Sequence, residues 1–346
     1  MWSHLIQKSL QKAGRFAPTP TGSLHVGNAY SALLSYLSAK ARGDCLILRI
    51  DDLDVRSLPK GCLEEQLYDL EWLEIPFDEG LREGGERGPY RQSDRSYAYE
   101  SALEYLNNKG LIYPCYCSRK EIAAVAPHAQ DEGHVYPGTC RPTQALSLPL
   151  NHIRSQPKKG RLPALRFNTR IFNLTRTWCG VAPKEGGAAG AERLLYYKDF
   201  IFGDQYAHLD HHVGDFILQR RDGVYAYQLA CAVDDYLHTC ALVARGSDLI
   251  TSTHRQRLIL SALDLPESLT PQYAHAGLLV DQSGERLAKR RKSTQLKDLR
   301  ERGVSPERVR AALSRALGGP DSSDLSVMVN SFKWSQVSEH PVKWSL

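Results

Sequence analysis

The sequence contains no run of 18 or more apolar residues, the length that a membrane-spanning helix requires. The first 13 residues mix polar and apolar types and lack the apolar core of a signal peptide. Without a secretion signal, the eight cysteines in 346 residues do not indicate a disulfide framework. We therefore expect a cytoplasmic protein that contains free thiols.

The composition is that of a globular protein with two or three domains. Hydrophobic residues make up 42% of the chain and charged residues 24%, and 346 residues exceed the length of one ordinary domain. The net charge of +5 is uneven, because residues 286–315 hold eleven Lys/Arg against three Asp/Glu, a local balance of +8. Such a region indicates either a polyanionic partner or a solvated helix face.

The cysteines fall into two groups. Three lie in apolar runs and are expected to be buried thiols: Cys45, Cys231 and Cys240. Three others lie in a loop-rich stretch and offer soft ligands to a structural zinc ion: Cys115, Cys117 and Cys140. The spacing alone suggests His128 or His134 as the fourth ligand, and three thiols without a metal are the alternative. Cys179 is predicted to lie outside this site.

Alternating strand and helix patterns predict an α/β fold. Residues 14–17 and 44–50 indicate short buried strands on either side of a helix at 25–41, a βαβ unit whose two strands should be parallel. Two further helical patterns cover residues 60–73 and 94–108. This alternation favours an open sheet with helices packed against it.

The pattern is interrupted at residues 113–198 by Pro, Gly and Cys, which indicates an insertion between two halves of the sheet. The α/β pattern resumes in three segments: 215–218, 225–235 and 242–246. Residues 278–289 predict two short strands around a Gly-containing turn. Ser305 and Pro306 predict the start of a helix that runs to Leu317.

Two short segments about 260 residues apart carry most of the functional signal. The first, GRFAPTPTGSLHVGN at 14–28, predicts a strand, a Pro- and Gly-rich turn and a helix that begins at His25. Free backbone N–H groups at that helix start, beside an imidazole, suit a phosphate chain. The second, GERLAKR at 284–290, predicts a loop that brings cations to the same phosphates. In this order the two segments resemble the HIGH and KMSKS signatures of class I aminoacyl-tRNA synthetases.

Further motifs resemble the catalytic core of glutamyl-tRNA synthetases over residues 14–300. They are RIDDLD at 49–54, DFIL at 215–218, YQLA at 227–230, VDD at 233–235 and RGSD at 245–248. The resemblance implies a Rossmann-type parallel-sheet catalytic domain in two halves, 1–112 and 199–265, separated by a zinc-bearing insertion at 113–198. Residues 266–346 are then expected to hold the KMSKS-like loop and short basic helices that contact tRNA, with no anticodon-binding domain.

The resemblance implies a glutamate site. Arg15 and Arg245 are predicted to bind the two substrate carboxylates, because guanidinium forks hold carboxylates at two points. Asp51, which stands where the family has Glu, is predicted to bind the ammonium group, and Tyr227 to supply a hydroxyl and a wall. Four residues of the turn complete the predicted glutamate pocket: Phe16, Ala17, Pro18 and Thr19.

The same resemblance implies an ATP site in which His25 and Lys289 are the catalytic residues. His25 is predicted to hold the phosphates with its helix start, Gly27 to let the adenosine approach the backbone, and Lys289 to contact the migrating phosphates. Asn28 and Arg286 complete the predicted set, and Arg286 retains the charge of the first KMSKS lysine. Mg²⁺ is expected with the ATP, with no protein ligand assigned.

The chain ends 57 residues after Lys289, room for about two helices, whereas a full glutamyl-tRNA synthetase continues into an anticodon-binding domain. This length, with the Cys motif, resembles the glutamyl-Q tRNA(Asp) synthetases. The resemblance implies activation of L-glutamate by ATP without tRNA, and transfer to queuosine at the wobble position of tRNA(Asp). It also implies Tyr136 rather than His134 as the fourth zinc ligand, and we expect a monomer.

Three alternative functions compete with this interpretation. One is a shortened glutamyl-tRNA synthetase that charges the 3′ end of tRNA(Glu), against which the expected lack of an anticodon domain argues. Another is a catalytically idle paralogue that binds tRNA, against which the intact His25, Lys289 and both arginines argue. A cytidylyltransferase with a HIGH-like motif fits neither the length nor the glutamate-type motifs.

Overall fold

The computed structural model describes most of the chain. The described stretches are residues 11–118, 120–122, 135–146, 148–158, 160–172, 194–287 and 295–346. Their helices are α1 (Val26–Ala41), α2 (Cys62–Trp72), α3 (Ser96–Asn108), α4 (Leu150–Arg154), α5 (Tyr227–Leu237), α6 (Ile250–Ala262), α7 (Leu296–Glu301), α8 (Pro306–Ala316) and α9 (Leu325–Ser331). Their strands are β1 (Ala13–Phe16), β2 (Cys45–Leu48), β3 (Ile112–Cys115), β4 (Ala164–Phe167), β5 (Leu194–Asp199), β6 (Gly203–His208), β7 (Ile217–Gln219), β8 (Leu242–Gly246), β9 (Gln272–Ala276), β10 (Leu279–Val280) and β11 (Val342–Lys343).

The central sheet is parallel where the sequence predicts it. β1 and β2 pair in parallel, with Ala13 opposite Cys45 and Phe16 opposite Leu48. Four other strands pair in the order β6-β5-β9-β8, and β8 is parallel to β9. A parallel bridge between Ala13 and Cys240 places β1 beside the start of β8. The predicted βαβ unit and the α/β fold are therefore confirmed.

Helix α1 packs against β1 through small and aliphatic side chains. Leu33, Leu34 and Leu37 are at most 3% exposed, and burying each leucine stabilises the fold by about 1.5–3 kcal/mol. Gly14 in β1 lets the helix approach closely, because a Cβ on Gly14 would lie 3.0 Å from the Cβ of Ala39. This packing fixes the start of α1 relative to the end of β1.

Strand β4, within the predicted insertion, lies at the centre of a separate antiparallel sheet of order β3-β4-β7. Its strand β7 comes from the stretch predicted to resume the Rossmann half. Conversely, β5, which falls mostly within the predicted insertion, pairs with β6 and β9. Strands of the two parts therefore interleave along the sequence, and the domain boundaries at 112, 198 and 265 stay a prediction.

Residues 278–289 differ from the predicted pair of strands. β10 pairs in parallel with β11, because Val342 N–H donates to Leu278 O at 2.9 Å and Trp344 N–H to Val280 O at 2.8 Å. Arg286 meets Val280 only through one antiparallel bridge, although the predicted turn is present, with Gly284 at φ +86°. Residues 288–289 lie outside the described stretches.

Part of the basic region is paired with the chain's own carboxylates. Arg300 binds Glu65 at 2.8 Å and Asp69 at 2.7 Å, and Arg310, which is 7% exposed, binds Glu74 at 2.6 Å. The two pairs of Arg300 connect α7 to α2. The pair of Arg310 connects α8 to Glu74, which lies just after the end of α2. Some of the positive charge therefore serves the fold rather than a polyanionic partner.

The predicted buried thiols are confirmed. Cys45, Cys231 and Cys240 are buried and free, and burial raises the pKa of Cys45 to about 11 and that of Cys240 to about 12. These thiols are therefore protonated and poor nucleophiles at neutral pH. No helix in the described part of the chain is long and apolar enough to cross a membrane.

A buried carboxylate joins α5 to α3. Asp234 accepts hydrogen bonds from Arg95 Nε at 2.6 Å, Tyr99 Oη at 2.7 Å and Gln92 Nε2 at 2.9 Å. All four residues are at most 2% exposed. The charge of Asp234 is thus stabilised by one cation and two neutral donors, the arrangement that a buried carboxylate requires.

Arg95→Met should lower the free energy of unfolding by about 3–5 kcal/mol, because it leaves Asp234 buried without its cation. Urea unfolding followed by circular dichroism measures the loss. The matched control is Arg82→Met, which breaks an exposed ion pair with Glu71 at 3.0 Å and should cost less than about 1 kcal/mol. Equal losses in the two variants would contradict the prediction.

Candidate active site

A cavity of about 940 Å³ opens at the carboxyl ends of β1 and β8. Ligands of parallel sheets bind at this edge, where the loops that follow the strands meet. Eleven predicted site residues line it: Arg15, Phe16, Ala17, Pro18, Thr19, His25, Gly27, Asn28, Tyr227, Arg245 and Arg286. The structure therefore brings most of the predicted glutamate and ATP residues into one cavity.

Arg15, near the end of β1, is oriented by a buried carboxylate. Its Nε lies 3.1 Å from Oδ1 of Asp235 in α5, and Nη1 of Arg49 lies 2.6 Å from the same oxygen. Burial opposes charge on Asp235, but the two guanidiniums lower the pKa of this carboxyl to about 2. The Nη groups of Arg15 have no partner in the described part of the chain and can bind a carboxylate of a ligand.

Arg245, in β8, is buried among neutral acceptors. Its Nε donates to His275 Nε2 at 3.1 Å, and its Nη2 donates to Thr253 Oγ1 at 2.7 Å and to Gln256 Oε1 at 2.9 Å. Its Nη1 is buried and has no partner among the described residues. Because an unpaired buried donor is costly, this N–H indicates a position for an acceptor oxygen of a ligand.

Asp51 is not among the residues that line the cavity. Its two oxygens face Arg49 at 2.7 and 3.3 Å, and the residue is 5% exposed. Burial raises the pKa of the Asp51 carboxyl against the lowering effect of Arg49. The structure thus does not bring the predicted ammonium ligand to the cavity lining, whereas Tyr227 lies there. The role of Asp51 stays a prediction.

His25 is the N-cap of α1. Its Nδ1 accepts a hydrogen bond from Asn28 N–H at 3.2 Å, and Asn28 Oδ1 accepts one from His25 N–H at 3.1 Å. Burial lowers the pKa of this imidazole, so the ring is neutral at pH 7. With Nδ1 an acceptor, the ring proton lies on Nε2. Nε2–H is therefore the donor that His25 can offer to a phosphate.

Gly27 makes room for the imidazole. A Cβ at position 27 would lie 2.9 Å from both Cε1 and Nδ1 of His25, closer than a real contact allows. The glycine thus permits the histidine cap itself. This is a reason for Gly27 that the sequence motif does not reveal, in addition to the predicted approach of adenosine.

Arg286 lies at the cavity, where its Nη2 is 2.9 Å from Oδ2 of Asp248. The two side chains are 42% and 47% exposed, so water screens this ion pair and a phosphate can replace the carboxylate. Lys289, the other predicted cation of the loop, lies outside the described residues. Its predicted contact with ATP stays a prediction.

Gln66 of α2 lines the cavity, although no motif identifies it. Its Nε2 donates to Thr19 O at 3.0 Å and to Gly22 O at 2.7 Å, which ties the turn to α2. The two carbonyls fix the orientation of the amide, and its Oε1 is buried without a partner among the described residues. The signal that could have identified Gln66 is its place on the buried face of a predicted helix.

The predicted zinc ligands lie close together at the end of β3. The Sγ atoms of Cys115, Cys117 and Cys140 lie within 4.8 Å of one another. Tyr136 Oη lies 3.4 Å from Cys115 Sγ and 3.5 Å from Cys117 Sγ, and Cys117 Sγ lies 3.5 Å from Cys140 Sγ. The described residues therefore offer one oxygen and three sulfur donors around one point.

This donor set fits a tetrahedral metal ion. Zinc with Zn–S bonds of about 2.3 Å places neighbouring sulfurs about 3.8 Å apart, which resembles the spacing here. Burial raises the pKa of the Tyr136 phenol, while the backbone N–H of Cys140, which donates to Tyr136 Oη at 2.7 Å, lowers it. Among the described residues Tyr136 is the fourth donor beside the three thiols, and the predictions for His128, His134 and Cys179 fall outside those residues.

Comparison with known families agrees with this geometry. Residues 13–171 and 193–339 match the model for the catalytic domain of class I tRNA synthetases (E and Q). The chain belongs to this family. It is therefore an ATP-dependent ligase of the aminoacyl-tRNA synthetase type.

Individual relatives of this class I synthetase include two glutamyl-Q tRNA(Asp) synthetases. That of Nitratidesulfovibrio vulgaris is 38% identical over 88% of this chain and 86% of its own length. That of Symbiobacterium thermophilum is 39% identical over 95% of both chains. Glutamate–tRNA ligase 2 of Acidithiobacillus ferrooxidans is 37% identical over 94% of this chain, but the match covers 63% of that protein.

A solved structure supports the same fold. The glutamate-tRNA synthetase from Elizabethkingia anophelis superposes with a TM-score of 0.77 over 97% of this chain and 68% of that one. The sequence identity is 24%, so this likeness concerns the fold alone. The class I synthetase architecture is thus supported by sequence and by structure.

Gly27→Ala should lower the free energy of unfolding by about 1 kcal/mol more in the wild type than in a His25→Ala background. In the wild type the added methyl group displaces the imidazole from the helix cap, whereas the His25→Ala variant has no imidazole to displace. Urea unfolding of the wild type, both single variants and the double variant measures this interaction energy. Strictly additive effects would contradict the contact between Gly27 and His25.

Proposed function

We propose that the chain activates L-glutamate with ATP in the absence of tRNA and then transfers the glutamyl group to queuosine at the wobble position of tRNA(Asp). The observation that carries the first step is the pair of buried arginines, Arg15 and Arg245, whose free N–H groups can bind two carboxylates. The second step is supported by the similarity to two glutamyl-Q tRNA(Asp) synthetases over most of their length.

Glutamate binds in the part of the cavity between the two arginines. Each guanidinium takes one substrate carboxylate through charge-assisted hydrogen bonds, and Tyr227 forms the wall between them. Asp51, which is bound to Arg49, meets the substrate ammonium through a bridging water. The turn Phe16–Thr19 closes this end of the cavity, and Gln66 holds the turn in place.

ATP binds at the start of α1. His25 Nε2–H and the free backbone N–H groups of the helix bind the phosphates, with Gly27 and Asn28 beside them, while Arg286 and Lys289 approach from the other side. A carboxylate oxygen of glutamate attacks the α-phosphorus, and the bond to pyrophosphate breaks. Mg²⁺ bound to the phosphates neutralises charge, and the residues position the reactants and stabilise the transition state.

The transfer step forms an ester. A hydroxyl of the cyclopentenediol of queuosine attacks the carbonyl carbon of glutamyl-adenylate, its proton passes to water, and the bond from that carbon to the phosphate oxygen breaks, so AMP leaves. The C-terminal part, 266–346, contacts the tRNA through its exposed cations, which include Arg302 and Arg308. The chain acts as a monomer in this proposal. The zinc ion, held by Cys115, Cys117, Tyr136 and Cys140, has a structural role.

The purified chain should catalyse glutamate-dependent exchange of pyrophosphate into ATP without tRNA. Arg245→Met should raise the KM for glutamate by at least about 30-fold, because it removes the buried cation that pairs with a substrate carboxylate. The KM for ATP should stay nearly unchanged. Arg220→Met, which breaks exposed ion pairs with Asp54 and Asp222, is the matched control and should change neither constant. No exchange without tRNA, or a preference for glutamine, would contradict the proposal.

Labelled glutamate should be transferred to tRNA(Asp) that contains queuosine and not to the same tRNA without it. Queuosine-containing tRNA(Asp) that lacks its 3′-terminal adenosine should still be labelled, because the acceptor lies in the anticodon. Equal labelling with and without queuosine would rule out this acceptor. Labelling of tRNA(Glu) at its 3′ end would favour the second candidate, a tRNA-charging enzyme, which the similarity to a glutamate–tRNA ligase supports.

Cys117→Ser should lose stoichiometric zinc, and Tyr136→Phe should bind zinc more weakly, since each removes one of four donors. Mass spectrometry of metal content after dialysis against graded concentrations of chelator measures both. Cys62→Ser, at a half-buried cysteine of α2, is the control and should keep its zinc. Retention of stoichiometric zinc by both ligand variants would exclude this ligand set.

A further inference from the structure

A buried hydrogen-bonded chain runs from Asp199 to Arg245 through one histidine. Asp199 Oδ2 lies 2.6 Å from His275 Nδ1, and His275 Nε2 lies 3.1 Å from Arg245 Nε. Asp199 ends β5, while His275 lies in β9 and Arg245 in β8, so the chain crosses three adjacent strands. All three side chains are at most 4% exposed. Neither Asp199 nor His275 belongs to a recognised motif.

The donors along this chain allow only one arrangement of protons. Arg245 Nε always carries a proton, so His275 Nε2 must be an acceptor. The ring proton therefore lies on Nδ1, from which it is donated to Asp199 Oδ2. Burial lowers the pKa of His275 to about 4, although Asp199 opposes this, so the ring is neutral at pH 7. A protonated ring would direct a second N–H at the guanidinium.

Asp199 is itself oriented by the backbone. Its Oδ1 accepts hydrogen bonds from the backbone N–H groups of Ile201 at 2.9 Å, Phe202 at 3.0 Å and His275 at 3.2 Å. Its Oδ2 is left for the imidazole. The backbone thus orients the carboxylate, the carboxylate fixes the tautomer of His275, and His275 orients Arg245.

We propose that Asp199 and His275 are positioning residues that aim Nη1 of Arg245 at the substrate carboxylate and so set the affinity for glutamate. The inference rests on the proposed function, in which Arg245 binds glutamate. His275 fixes Nε while Thr253 and Gln256 fix Nη2, so Nη1 is the N–H group that remains for the ligand. The direct partners of Arg245 are neutral, and the carboxylate of Asp199 lies beyond His275, so among the described residues no ion pair competes with an anionic ligand for the guanidinium.

Asp199→Asn tests the proposal with almost no change of shape. The three backbone donors keep the amide oxygen at the Oδ1 position, so the amide NH₂ faces His275 Nδ1 and shifts the ring proton to Nε2. The N–H groups of His275 and Arg245 then oppose each other. The KM for glutamate in pyrophosphate exchange should rise about 10-fold or more, and the KM for ATP should stay within about twofold.

Two further measurements distinguish this role from a general loss of structure. Nitrogen-15 chemical shifts of the His275 ring should change from those of the Nδ1–H tautomer to those of the Nε2–H tautomer. Calorimetric titration with glutamate should show the same loss of affinity without catalysis. The matched control is Asp204→Asn, at an exposed residue of β6 whose Oδ1 is 2.9 Å from Tyr196 Oη. It should change neither the chemical shifts of the His275 ring nor the affinity for glutamate.

His275 provides a second test if Asp199→Asn does not fold. His275→Gln keeps an acceptor for Arg245 Nε and should lose less glutamate affinity than His275→Leu, which removes it. In the His275→Leu background, Asp199→Asn should have no further effect on glutamate affinity.

The outcomes separate this inference from the proposed function. An unchanged glutamate KM in folded Asp199→Asn, or equal glutamate affinities in the two His275 variants, would overturn the positioning role while wild-type exchange still holds. Absence of glutamate-dependent exchange and of glutamate binding in the wild type would instead contradict the proposed function.

Discussion

The carboxylate of Asp235 is the constraint on which the cavity depends. It accepts from Arg15 of β1 and from Arg49 after β2, although its own helix α5 begins more than 170 residues later in the sequence. Without it, the buried guanidinium of Arg15 would lie beside that of Arg49 with no carboxylate of its own, and an unpaired buried charge costs several kcal/mol. The preceding residue, Asp234, points elsewhere because consecutive helix positions diverge, and it binds Arg95. Two adjacent acids thus connect α5 both to the sheet and to α3.

The two buried arginines that line the cavity are held by different chemistry. Arg15 shares a carboxylate, and the group of Arg15, Arg49, Asp51 and Asp235 is neutral as a whole. Arg245 touches only neutral acceptors among the described residues, so its charge is not compensated by a direct ion pair. In the proposed function, a dicarboxylate substrate with a net negative charge would be drawn to the side of the cavity formed by β8. This asymmetry suits glutamate better than its neutral amide, glutamine.

Local and motif-based features could be predicted from the sequence, and the long-range polar contacts could not. The cap at His25, the parallel β1–β2 pair and the three-thiol cluster each depend on neighbouring residues or a recognisable spacing. The partner of Arg245 could not be predicted, because His275 lies 30 residues away in another strand. Periodicity indicates which face of an element is buried, but not which buried polar groups meet. The pairing of Asp51 with Arg49 was missed for that reason, although the two are close in sequence.

The two signature segments are physically joined although about 260 residues separate them. Leu296 N–H donates to Leu24 O at 2.8 Å, where the KMSKS-like stretch leads into α7 and the HIGH-like stretch leads into α1. Asp69 of α2 strengthens this junction, because one oxygen accepts from Leu24 N–H at 3.0 Å and the other binds Arg300 of α7 at 2.7 Å. The residue before the cap of α1 is therefore tied to the start of α7 both directly and through Asp69. This link holds the start of α1, with the His25 cap, and the first of the C-terminal helices in one frame.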